Sequence, residues 1–251
     1  MEVHHHAHAS HSKKSWKAYF WEFLMLFLAV FCGFLAEYQL EHVIEHSKEK
    51  EYIESMVGDL KTDSVRITNV IRRNKRQVEG FDSLLQNIYH SPYTDSSLRT
   101  LYYLKETYTL FRITMFFTKG TVLQLKNSGG FRLIRKRAVV DSILSYDNTT
   151  ERAEGQGEGV DNASRKLLDL SVRIFDGEMT LPYDDPATYR NIMRSDKKFS
   201  LLTTDNATIR EYANLAKFKR DVIRNYINQL SALQSRMPGI IRFLEEEYHL
   251  K

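Results

Sequence analysis

The chain has 251 residues, 42% of them hydrophobic, which is enough apolar material for one or two domains with a buried core and excludes a chain disordered overall. Its 36 basic and 32 acidic residues leave a formal charge of +4, too even a balance for a nucleic-acid binder. A single cysteine excludes an internal disulfide framework, and 4 prolines, 11 glycines and little strand-like alternation point to an all-α fold.

Residues 1–16 form a His- and Lys-rich tail, VHHHAHASHSKK. Imidazole is the commonest metal ligand, so His4, His5, His6, His8 and His11 are the candidate metal ligands. No carboxylate or thiol sits beside them and the segment is too short to close around an ion. Incidental affinity for a metal is therefore expected rather than a dedicated site, and no cofactor is expected.

Residues 17–38 follow as an apolar run, FLMLFLAVFCGFLAE at its centre. Phe23 to Ala36 carries no charge, and counting outwards to Ala18 and Tyr38 gives about the 20 residues a helix needs to cross a bilayer. Trp16, Tyr19 and Trp21 on one side and Tyr38 on the other have the character of interfacial anchors. A cleaved signal is disfavoured, because the positions three residues before the candidate cuts are Phe34 and Leu35 instead of small residues. The run is apolar all round, which a surface helix does not tolerate. It reads as a transmembrane helix with the lipid bilayer as its partner. Lys13, Lys14 and Lys17 before it, against Lys48 and Lys50 after it, favour a cytoplasmic N-terminus and a periplasmic C-terminal part. Ala29, Cys32, Gly33 and Ala36 lie on one helical face, a small-residue strip that lets membrane helices approach closely.

Residues 39–251 read as a helical bundle domain. Over 39–90 the helix continues as a stalk: Ile53, Val57, Leu60, Ile67, Ile71, Val78, Phe81, Leu85 and Ile88 share a heptad frame, with Ser64 and Asn74 as its polar interruptions. These two residues either fix register in a coiled coil or are gaps on an ordinary bundle helix. Ser91-Pro92 stops the helix. A second helical region covers 98–126, breaking or bending near Thr118 to Gly120 and resuming as TVLQLK, and Asn127-Ser128-Gly129-Gly130 closes it. A third covers 132–176. The run Gly155-Gln156-Gly157-Glu158-Gly159 makes its middle a frayed stretch, a break between two helices, or a place where another helix packs very close. Residues 177–204 read as a connecting loop with a short helical piece near Tyr189 to Met193. The last helix covers 205–249, capped by Asp205 or Asn206 and kinked or broken at Pro238-Gly239. The expected architecture is an antiparallel bundle of about four long helices following a transmembrane helix.

The stretch QLKNSGGFRLIRKR offers a possible anion site. Lys126, Ser128, Gly129, Gly130, Arg132 and Arg135 place two glycines and several cations before a helix start, the makings of a backbone nest. A helix-helix turn with a solvated basic flank is the plainer reading. No GxSxG, HExxH, CxxC or nucleotide-binding pattern occurs, so no catalytic residues are assigned and an enzyme is not expected.

The His-rich start, WKAYFWEFLMLFLAVFCGFLAEYQLEH, the charged helix EKEYIESMVGDLKTD and QLKNSGGFRLIRKRAVVDSILSYD together resemble a family of single-pass inner-membrane proteins of Bacteroidota to which no activity is attached. The resemblance covers about the first 147 residues and the remainder only in helical character. It implies a bacterial inner-membrane location and supplies no catalytic residues. On these grounds the chain is expected to be a membrane-anchored scaffold or accessory subunit of the cell envelope, with a homo-oligomer or an envelope protein as partner. The alternative expectation is an extracytoplasmic ligand-binding or sensor module that signals through a partner chain.

Overall fold

A computed structural model describes residues 15–179 and 188–250. Among them six α-helices run in chain order: α1 (Trp16–His90), α2 (Asp95–Leu104), α3 (Gly120–Asn127), α4 (Arg137–Ser171), α5 (Thr188–Arg194) and α6 (Asn206–Tyr248). A π-helical turn (Lys105–Thr109) extends α2, and an isolated antiparallel bridge between Phe175 and Leu201 is the one β-type pairing among the described residues. The all-α reading holds.

The chain divides into two compact units, 1–51 and 52–251. In the first, α1 contains a stretch long and apolar enough to cross a membrane: an 18-residue window has mean hydropathy 2.0 and none of it is buried. Phe23, Met25, Leu26, Phe34 and Leu40 stand at least 61% exposed. Large apolar side chains in that state are stable only against lipid or another protein. Phe23, Phe27 and Phe31 stack along one face, with Phe27 and Phe31 centred 5.9 Å apart. At about 100° per residue, Ala29, Cys32, Gly33 and Ala36 fall on the opposite face, and Gly33 has open space where a side chain would stand.

The second unit is held by three long helical stretches: α1 from Tyr52 onwards, α4 and α6. Lys61 meets Glu245, Gln234 meets Thr68, and Arg220 and Arg224 meet Asp82, so α6 runs antiparallel to α1. Lys136 meets Glu247 and Phe175 meets Tyr212, so α6 also runs antiparallel to α4. The core between them contains the expected frame residues Ile53, Leu60, Ile67, Phe81 and Leu85, joined by Val139, Ile143, Val160, Ile223, Leu230 and Met237. Asp205 caps α6, its carboxylate accepting from Thr208 N at 2.8 Å.

Three sequence expectations are refined here. The second region is not one long helix: helical structure stops after Thr109 and resumes at Gly120, leaving an extended strap over 110–119. α4 runs unbroken through Gly155, Gly157 and Gly159. α6 continues through Pro238 without a break. Pro238 and Gly239 are exposed, so water can serve the carbonyl that the missing proline N–H leaves free.

Candidate functional site

The strap, FRITMFFTK in its centre, is rich in β-branched and aromatic residues that favour extended backbone over helix. An extended segment inside a helical bundle has no neighbouring strand to serve its peptide groups, and buried peptide groups need partners. Side chains supply them. From α1, Gln77 Nε2 donates to Tyr108 O at 2.8 Å and Phe111 O at 2.7 Å, and Asn74 Nδ2 donates to Ile113 O at 2.9 Å. The Asp63 carboxylate accepts from Thr118 N and Thr118 Oγ1, the latter at 2.8 Å, while Asp59 accepts from Thr121 Oγ1 at 2.6 Å. From α6, Lys219 Nζ donates to Thr109 O at 2.6 Å, and Tyr226 Oη accepts from Met115 N at 2.7 Å. The strap therefore runs antiparallel to α1, pinned by polar side chains that interrupt the apolar faces of two helices. Asn74, one of the two gaps in the heptad frame, is such a pin.

The glycines of two helices meet their neighbours differently. At Gly157 of α4 a Cβ would lie 3.4 Å from Thr114 Cγ2 of the strap, and at Gly159 it would lie 3.9 Å from Val222 Cγ1 of α6, so neighbours pack on the run at ordinary contact distance and no helix presses unusually close. At Gly80 of α1 the Tyr108 ring lies directly against the helix backbone, 2.1 Å from where a Cβ would be.

The electrostatics around the π-turn are concentrated. Lys219 is fully buried, and burial pushes its ammonium down to about 7, with the Asp161 carboxylate pulling the other way. Its charge also sits 5.4 Å from the Phe81 ring centre. Lys105 and Glu106 form a buried pair at 2.6 Å. Burial pushes the Tyr212 hydroxyl well above its ordinary range, and Tyr226, desolvated in the same way, is raised to about 12. Four buried polar atoms lack a hydrogen-bond partner among the described residues: Asn74 Oδ1, Gln77 Oε1, Asp161 Oδ1 and Tyr212 Oη. Three of the four belong to residues bonded to the strap, Asp161 through Arg112.

Beside this interior, a groove of about 240 Å³ opens between α1 and the π-turn, with Arg73, Arg76, Gln77, Tyr108, Phe111 and Ile113 in its wall. Arg73 and Arg76 are exposed and take part in no ion pair or hydrogen bond among the described residues. Some other cations of the second unit do have carboxylate partners: Arg99 with Asp95, Arg112 with Asp161 and Lys119 with Glu154.

The sequence-derived anion site has a different environment. Lys126 is bonded to Asp147, which lifts its ammonium above the ordinary value, and lies 3.6 Å from Glu151. Ser128 Oγ donates back to Gln124 O at 2.6 Å. Gly129 takes the left-handed backbone, φ 69°, that ends α3, and the Arg132 guanidinium folds over it. Gly130 is buried against Leu125, and Arg135 is exposed. The stretch is built as a helix-ending turn with acidic partners. Ala29, Cys32, Gly33 and Ala36 are brought together on one exposed face. His4, His5, His6, His8 and His11 lie outside the described residues. Among the described residues no group of three or more His, Cys, Asp or Glu side chains is placed to hold a metal ion.

Sequence reasoning missed Lys219, Gln77 and the Arg73–Arg76 groove; it set Tyr226 on the apolar stripe of the last helix and gave its hydroxyl no partner. Gln77 and Lys219 read as ordinary surface residues of amphipathic helices; the signal that pointed inward was Asn74 in the apolar frame. Compared with protein-family models, curated proteins and solved structures, the chain matches none.

Proposed function

We infer that the chain is a membrane-anchored helical module of a bacterial cell envelope, a scaffold or accessory subunit that works through contacts with other proteins and carries out no catalysis. The observation that carries this reading is the 18-residue window of mean hydropathy 2.0 with none of its surface buried. The lysine asymmetry supports a cytoplasmic N-terminus with residues 39–251 in the periplasm, and the resemblance to the Bacteroidota family supports an inner-membrane location. The small-residue face opposite the Phe23, Phe27 and Phe31 stack is the surface through which two copies associate.

Cys32 lies on that face and is the chain's only cysteine, so oxidation of intact membranes tests the contact directly. A dimer crosslinked through Cys32, lost in Cys32→Ser, is the expected result. Recovery of the chain in the soluble fraction after an alkaline wash defeats the anchoring itself, whereas retention in the membrane without crosslinking defeats only self-association. An extracytoplasmic ligand-binding module remains the second reading, favoured by the groove with its two unpaired arginines.

A further inference from the structure

We propose that the groove beside the π-turn binds the C-terminal residue of an extended peptide. This rests on the second unit alone and holds whichever way the chain is anchored.

Arg73 and Arg76, one helical turn apart on α1, face a cavity with no carboxylate in its wall. The neighbouring Arg72 and Lys75 are cations themselves, and the nearby carboxylate, Glu79, acts with Arg76 on the Tyr108 hydroxyl but forms no ion pair with either arginine among the described residues. Guanidinium groups left open in this way match a carboxylate, which accepts from two donors in one plane. Gln77 adds a second, opposite demand. The residue is 2% exposed and both hydrogen bonds of its Nε2 go to carbonyls, which fixes the orientation of the amide. Its Oε1 therefore faces away from those carbonyls and has no donor. A buried acceptor without a donor is costly, so a ligand N–H presented there is favoured. The oxygen has no accessible surface, so a ligand N–H reaches it only when side chains of the groove wall shift, and Arg73 and Arg76, exposed and unbonded, are the ones free to do so. Tyr108, Phe111 and Ile113 supply an apolar wall.

An anion, an adjacent N–H and an apolar side chain are what the last residue of a peptide offers: its α-carboxylate, its amide and its side group. The size agrees. A cavity of 240 Å³ has the room of about eight waters, enough for one residue and too little for a folded partner. Inorganic phosphate would satisfy the arginines and leave the apolar wall of Tyr108, Phe111 and Ile113 uncovered. A fatty-acid carboxylate has no donor and would leave the Gln77 oxygen unserved.

The test is calorimetric titration of the full chain in detergent with acetyl-Gly-Gly-Phe bearing a free carboxylate. Binding is expected, with about tenfold weaker affinity for the same peptide carrying a C-terminal amide. The carboxylate 3-phenylpropionate, which keeps the ring and lacks the N–H, should bind about fivefold more weakly. Arg73→Glu with Arg76→Glu should abolish the difference between acid and amide. Arg72→Glu with Lys75→Glu, which removes as much positive charge outside the groove, should preserve it. No binding by any probe overturns the proposal. So does equal binding of acid and amide, or phosphate binding as tightly as the peptide, which would leave only a cationic patch. Equal binding of 3-phenylpropionate and the peptide overturns the role given to Gln77.

Discussion

Lys219 shows how far one residue's setting can depart from its type. Lysine usually snorkels, but here the ammonium is enclosed and donates to Thr109 O and Phe111 O. Because its folded pKa of about 7 lies below the ordinary value of 10.5, the unfolded chain binds the proton more tightly than the folded one. Between those two values the unfolded state holds more protons, so stability rises with pH over that window and is flat below it as far as this group is concerned. Urea unfolding at pH 6.5 and 9.5 should show the rise, and Lys219→Met should remove its slope. Tyr226 allows a cleaner test of the strap's pins. Tyr226→Phe keeps the ring and leaves Met115 N–H buried without an acceptor, an expected loss of about 1–3 kcal/mol in urea unfolding.

Elements built from periodic apolar positions were legible in the sequence. The frame Ile53, Leu60, Ile67, Phe81 and Leu85 on α1 is buried, and Ile209, Tyr212, Ala216, Ile223, Tyr226, Leu230, Leu233 and Met237 on α6 are buried too. These follow from spacing alone, because a helix face repeats locally. The strap was not legible. Leu110 to Lys119 pass as a weak continuation of α2, since the groups that hold them extended come from positions 34 to 111 residues away. The groove was hidden for the same reason: Arg73 and Tyr108 meet only after the chain folds back. Glycines separate similarly. Gly155 has nothing within 4 Å of a Cβ, so Gly155→Ala should stabilise α4 by up to about 1 kcal/mol. Gly80 carries the Tyr108 ring, so Gly80→Ala should destabilise by about 1–3 kcal/mol and weaken peptide binding, both measured on one preparation.

At the scale of the whole molecule, the two units obey different physics. In the first, apolar side chains face outward and polar groups mark the ends. In the second, apolar side chains face inward and the exposed helix faces are charged. The first is legible from composition and length, which is why a stretch long and apolar enough to cross a membrane could be read from Phe23 to Ala36. Its sidedness is tested by fusing to Lys251 a reporter active only outside the cytoplasm. Activity is expected; silence, with protease protection in spheroplasts, would reverse the reading from Lys13, Lys14 and Lys17.

The strap also dictates an order of assembly. Asp63, Asn74 and Gln77 precede it in the chain, so its first anchors are present as soon as about residue 121 has been made. Lys219 and Tyr226 arrive roughly a hundred residues later and close it from the other side. Until then the nascent bundle holds a half-dressed polar seam that neither collapses dry nor stays fully wet. Such dependence on distant parts slows folding relative to a simple up-and-down bundle. In pulse-labelled hydrogen exchange during refolding, the amide of Met115 should be among the last to become protected, marking the moment the final helix locks into place.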